Sequence, residues 1–310
     1  MTMAFRPPAR VGAGRSRPYA GATLHLRRHI SQRVAWALLW LSGLAAVAIL
    51  LAVAGYVVVR GAGSINLEFL LTAPRGGLSG EGGISTTIVT TLWLALLIIG
   101  IATPLGVGTA VYLTEYADEA SRRQKALAWL IAAVRFAVET LAGVPSILYG
   151  LFGYALFVSA LHLGFSLLSA GLAGACLVLP VIIRATEEAL RAVPRSYREG
   201  SLALGATQWQ TITGVVVPAA LPGIITSVIL SVGRVFSETA VFFVTLGGSY
   251  RMPTSLLSPG RTMALHVYYL AMDTRAFDKA MATGTILIAG MIAINAAIHA
   301  FTARVGSGRD

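Results

Sequence analysis

Two charged residues four positions apart stand alone in a long apolar stretch. Gly200 to Gly233 contains no Asp, Glu, Lys or Arg. Arg234 and Glu238 then occur within Gly233-Arg234-Val235-Phe236-Ser237-Glu238-Thr239, and the chain is uncharged again to Tyr250. A charge near the centre of a bilayer costs roughly 2.5–3.5 kcal/mol on insertion scales, so an intramembrane pair marks a functional position by default. On a helix, a spacing of four places both groups on one face. Three chemistries fit such a pair. A guanidinium is a planar, permanently charged donor for oxyanions. A carboxylate at that depth can carry a proton. A static ion pair can also simply fix helix packing.

The elements that must position these two side chains follow from composition. The chain has 310 residues, 56% hydrophobic and 12% charged, with mean hydropathy +0.74. A soluble domain carries about 25% charged residues. The expected class is an all-α polytopic membrane protein with about six transmembrane helices. Net charge is +11, but the basic residues lie beside apolar spans, so membrane topology explains them better than a nucleic-acid partner. Residues 1–33 carry Arg6, Arg10, Arg15, Arg17, Arg27, Arg28 and Arg33 and read as a basic cytoplasmic arm. Residues 34–59 are uncharged and form the first span. Gly82 to Thr114 is the second, interrupted by Pro104 and Gly106.

Ala126 to Thr140 lies outside the spans in this reading, with Arg135 and Glu139 as a surface pair on one helix face. Leu141 to Ile183 is long enough for two spans joined near His162 and Gly164. The fifth runs from about Ala219 to Leu246, with Arg234 about 20 Å from its inner end, and the sixth is Ala280 to Ala303. Arg184, Arg191, Arg195 and Arg198 place the loop at 184–218 on the same side as the arm, so both termini are expected in the cytoplasm. Cys176, the single cysteine, falls inside a span and reads as a small packing residue.

Catalytic machinery is not expected. Neither Lys125 nor Lys279 follows a phosphate-cradling glycine loop. There is no Gly-x-Ser-x-Gly nucleophile turn. The five histidines are scattered without metal-ligand spacing.

The specific signal lies in the loop. It reads Glu199-Gly200-Ser201-Leu202-Ala203-Leu204-Gly205, with Ala206 next, and nine residues after Gly205 comes Val215-Val216-Val217-Pro218. This resembles the EAA loop of binding-protein-dependent ABC importer permeases: Glu-Ala-Ala, three residues, Gly, nine residues, Ile-x-Leu-Pro. The departures are Gly200 and Ser201 for the alanines, and Val215 and Val217 for the aliphatic pair. Further stretches resemble the phosphate permeases of that family, of the PstA type. They are Thr103-Pro104-Leu105-Gly106-Val107 with Tyr112-Leu113-Thr114-Glu115-Tyr116, Gly143 to Gly153 around Pro145 and Tyr149, Glu188 to Pro194, and Gly233 to Ala240. Such permeases often have Gly where this chain has Ser237. The likeness covers residues 82–303.

The resemblance implies a MetI-like fold over the last five spans, in a bacterial plasma membrane. It implies a non-catalytic subunit that imports inorganic phosphate, with Arg234, Glu238 and Tyr149 along the substrate path. Glu199, Gly200, Ser201, Gly205 and Ala206 would couple to the ATPase. The implied partners are a PstC-type permease subunit, two copies of a cytoplasmic ATPase that uses the ATP, and an external phosphate-binding protein. A same-fold permease for molybdate, sulfate or an amino acid, and a proton-coupled carrier using Glu238, stand as alternatives.

Overall fold

The structure, a computed structural model, describes residues 21–75, 81–117, 124–274 and 276–306. The first twenty residues of the basic arm lie outside the described residues. Two units are present, Met1–Gly55 and Tyr56–Asp310. The described part of the first is helical and belongs to α1, Gly21–Ala62, which ends in the second. Large apolar side chains along α1, among them Trp36, Leu39, Trp40, Leu44 and Leu50, are exposed. A helix apolar all round, with that surface uncovered, suits a lipid environment.

The second unit continues with α2, Leu67–Leu71, whose first turn is capped by the Asn66 side chain accepting from Phe69 N at 2.7 Å. Then follow α3 (Ser85–Val111), extended by a π-helical turn at Tyr112–Tyr116, and α4 (Lys125–Ala142). Next are α5 (Ser146–Gly153), extended by Tyr154–Ala160, and α6 (Leu167–Ala192). The short helices α7 (Arg195–Ala203) and α8 (Gln208–Thr211) follow. α8 runs through Ile212–Val216 into α9 (Val217–Ser237). The chain ends with α10 (Ala240–Thr245), α11 (Met263–Met272) and α12 (Phe277–Gly306). Among the described residues, five helices are long and apolar enough to cross a membrane, or six if the bent pair α4–α5 counts as one span. The expected architecture of about six spans is therefore present.

Two expectations are corrected. Residues 126–140, expected outside the spans, form α4, which with α5 makes one apolar pair bent by 113°, a broken span or a re-entrant element. The break falls at Gly143–Pro145, where proline cannot continue the preceding helix. Arg135 and Glu139 consequently do not pair. Arg135 Nη2 donates to the Leu113 carbonyl at 2.9 Å, and Glu139 meets Arg184 at 3.7 Å. Both find partners on other helices, which sequence spacing alone does not reveal. The fifth span is also shorter than its apolar run: α9 stops at Ser237, and Glu238 is extended, with φ −75° and ψ 128°.

Small residues let the helices approach closely. A Cβ on Gly106 would clash with Ile182, one on Gly174 with Ile98, and one on Gly223 with Ala189. Small side chains of this kind are the usual packing device between membrane helices. The contacts make α6 parallel to α3, with Leu97, Ile98 and Gly106 meeting Gly171, Gly174 and Ile182 in order, and antiparallel to α9. A hydroxyl ladder at the start of α3 ties it to the segment before α11. Thr90 and Thr91 donate to Thr86 O and Thr87 O, Thr86 donates to Tyr250 O at 3.0 Å, and Met263 N donates to Thr91 Oγ1 at 2.9 Å. These buried hydroxyls are thus satisfied, as burial requires.

Candidate functional site

Arg234 occupies the last turn of α9 and Glu238 is the residue at which that helix ends. Their side chains meet at 3.5 Å between Nη2 and Oε2. Glu238 is 4% exposed while the Arg234 side chain is 49% exposed, so the carboxylate is held in the protein and the guanidinium reaches an open face. The other carboxylate oxygen, Oε1, accepts from Val241 N at 3.3 Å in the first turn of α10. Glu238 therefore joins the end of one helix to the start of the next, and its charge is met from both sides. Depth follows from register. Gly223 packs on Ala189 of the antiparallel α6, and Arg234 lies about 16 Å further along α9. That places it beside the middle of α6, near Val178, in the same core cluster that holds Val235 and Phe236. Even there the ion pair is only half shielded, so the guanidinium keeps donors available to a second anion.

Tyr149 is 6% exposed, and its hydroxyl donates to the Leu141 carbonyl at 2.7 Å. It closes the bend between α4 and α5, and its donor is occupied there. Neighbouring Gly150 packs on Val241 and Val244 of α10. Residues 145–153 thus support the segment that carries Glu238.

In the EAA-like loop, α7 presents Glu199 and Gly200 to solvent, and Ser201 Oγ lies 2.9 Å from Thr211 Oγ1. Leu204 is 91% exposed, and Tyr197, Leu202 and Trp209 are also uncovered. Gly205 has φ +87°, a left-handed conformation that glycine adopts without strain. Ala206 leads from it into the capping box at Thr207, where Thr207 N donates to Gln210 Oε1 and Gln210 N to Thr207 Oγ1. The result is a short helix, a sharp turn and a rigid restart, with apolar side chains left outside.

The model for binding-protein-dependent transport system inner membrane components matches residues 103–308. The chain belongs to that family. The probable ABC transporter permease protein YqgI of Bacillus subtilis is 30% identical over 288 residues, covering 88% of this chain and 95% of the relative. The phosphate transport system permease protein PstA 1 of Mycobacterium tuberculosis is 37% identical over 237 residues, 76% of this chain and 75% of the relative. Among solved structures, that of a bacterial alginate ABC transporter in complex with a pentasaccharide-bound periplasmic protein has a TM-score of 0.65. It is 15% identical and covers 90% of this chain and 97% of the other. The chain is therefore a multi-pass membrane permease subunit of the ABC importer type, and it is not the catalytic subunit.

Two features of this permease were not found from sequence. Arg198, next to the EAA-like glutamate, holds Glu115 with Nη2 at 2.7 Å and Nε at 3.1 Å. It also donates to Leu190 O and Val193 O at the end of α6. One guanidinium thus ties α7 to the C-terminal ends of α3 and α6. Glu115 lies in a quoted stretch and Arg198 in the loop's arginine cluster, but nothing in sequence pairs positions 83 apart. At the other end, Arg261 stacks on Tyr269 at 4.1 Å and donates to Gly248 O at 2.8 Å. Its Nη1 lies 3.4 Å from Nδ1 of His266. Burial, with the Arg261 charge as a lesser cause, pushes His266 down to about 3, so the imidazole is neutral and Nδ1 accepts.

Proposed function

We propose that this chain is a permease subunit of an ATP-driven importer of inorganic phosphate. The observation that carries the reading is the half-exposed Arg234 held by buried Glu238 at the break between α9 and α10, near mid-depth. Arg234 is the guanidinium that dehydrated phosphate meets in the path. Glu238 neutralises it when the path is empty, and phosphate competes for its free donors during passage. The contact is weak by design, since a tight site would retain the ion. Similarity to a PstA-type permease supports phosphate over other oxyanions.

In this reading the Glu199–Ala206 loop faces the cytoplasm and both termini lie there, in a bacterial plasma membrane. Tyr197, Leu204 and Trp209 enter a groove of the ATPase, and Arg198 passes its movement to α3 and α6 as rigid-body motion. The working assembly contains a PstC-type permease subunit, two ATPase copies and an external phosphate-binding protein. Phosphate uptake by the reconstituted complex tests the solute. Uptake of molybdate or sulfate but not phosphate redirects the assignment within the fold. Uptake without ATP points to a carrier in which Glu238 moves protons.

A further inference from the structure

A second cationic cavity lies far from Arg234, at the root of the coupling helix. It has a volume of about 740 Å³, and its lining includes Arg135, Arg191, Arg195 and Arg198 against Glu115 and Glu199. Arg198 and Glu115 satisfy each other. Among the described residues, the remaining three arginines have Glu199 in the lining and Glu187 beside it. Arg191 has only a long contact to Glu187, at 3.9 Å. Arg135 uses Nη2 on the Leu113 carbonyl, while its Nε is buried without a hydrogen-bond partner. Thr114 Oγ1, from the same lining, is likewise buried and unpartnered. Leaving such donors unsatisfied costs about 1–3 kcal/mol each, more for charged groups, so native structures meet them with ordered water, an ion or a ligand. Guanidinium N–H groups and a hydroxyl around excess positive charge form a donor set for a phosphate-type oxyanion.

We propose that this cavity binds a phosphate group from the cytoplasmic side, bridging α4, the end of α3 and the coupling helix α7. The proposal rests on the topology given above but not on the identity of the imported solute. An anion here would stiffen the joint through which α7 moves the spans. That makes the cavity a place where the cytoplasmic phosphate level, or an anionic lipid headgroup, restrains coupling.

The test uses the whole complex in nanodiscs without nucleotide, carrying Arg234→Leu so that the path site is removed. Radiolabelled orthophosphate binding is compared with and without the added pair Arg135→Gln and Arg195→Gln, in neutral phosphatidylcholine and in bilayers containing phosphatidylglycerol. A roughly tenfold weaker isotherm in the added variants, with Arg135→Lys near the parent, supports a free-phosphate site. Phosphatidylglycerol that co-purifies with the parent, blocks orthophosphate and is lost in the variants supports a headgroup site. Identical isotherms and identical bound lipid would overturn the proposal. If the paired variant fails to assemble, exposed Arg195→Gln alone decides: weakened phosphate or lipid binding supports the site, and binding equal to the parent overturns it. A failure of phosphate import in wild type defeats the functional reading and leaves this comparison intact.

Discussion

Arg234 and Glu238 share one charge balance but differ in burial, and that difference predicts different phenotypes. Arg234→Leu leaves Glu238 buried with only the Val241 N–H to meet it. Loss of one partner of a buried pair costs roughly 3–5 kcal/mol, reduced here because Arg234 is half exposed. Arg234→Leu paired with Glu238→Gln should therefore assemble better than Arg234→Leu alone, yet still not transport; size-exclusion of the complex and uptake separate the two effects. Restored uptake in the paired variant would contradict the role given to the guanidinium. His266 supplies a pH prediction. Its folded value near 3 lies below the ordinary 6.5, so the unfolded segment binds the extra proton. Stability around α11 is complete above pH 6.5 and falls toward pH 3, by at most about 1.4 kcal/mol per pH unit. Amide exchange in α11 should accelerate as pH drops through 6 to 4 beyond its intrinsic pH dependence, and His266→Gln should flatten that excess. The Arg234–Glu238 pair was legible because a charge stands out in apolar sequence. The Arg198–Glu115 and Arg261–His266 contacts were not, since each sits in a loop or helix end where charge is ordinary.

At the scale of elements, the coupling loop is a helix, a left-handed glycine and a capping box. Gly205 was singled out by its place in the EAA-like spacing, and its φ of +87° is a conformation that glycine adopts without strain. A kink at Pro145 was legible, but the joining of α4 to α5 and the early end of α9 were not, because apolar runs are blind to direction: membrane-compatible residues fill a broken helix as well as a straight one. Gly205→Val puts a β-branched residue at positive φ, with no neighbour within 4 Å to clash. Its cost is backbone strain, roughly 1–2 kcal/mol. The expected result is an assembled complex whose ATP hydrolysis is no longer stimulated by the binding protein. Arg198→Lys should behave similarly, since an ammonium cannot hold Glu115 and two carbonyls together. Normal stimulated hydrolysis in both variants would separate this loop from coupling.

At the scale of the molecule, the account requires opposite faces for the coupling loop and the 247–276 segment. Both Ser196 and Ser255 are exposed. With Cys176 replaced by Ala, a membrane-impermeant thiol reagent should label Ser255→Cys in intact cells and Ser196→Cys only in inverted vesicles; the reverse pattern overturns the topology. The number of spans and the family were legible because hydropathy and loop spacing are local. The seating of α6 between α3 and α9 depends on which small residues meet, and a single sequence does not state that. The central claim is that Arg234 handles imported phosphate under ATP control. Its most direct test is radiolabelled phosphate uptake by proteoliposomes holding the whole complex, wild type beside Arg234→Leu. ATP-dependent uptake in wild type, abolished in vesicles holding an equal amount of assembled variant complex, is the predicted result. Uptake that survives Arg234→Leu, or is absent from wild type, would contradict the account.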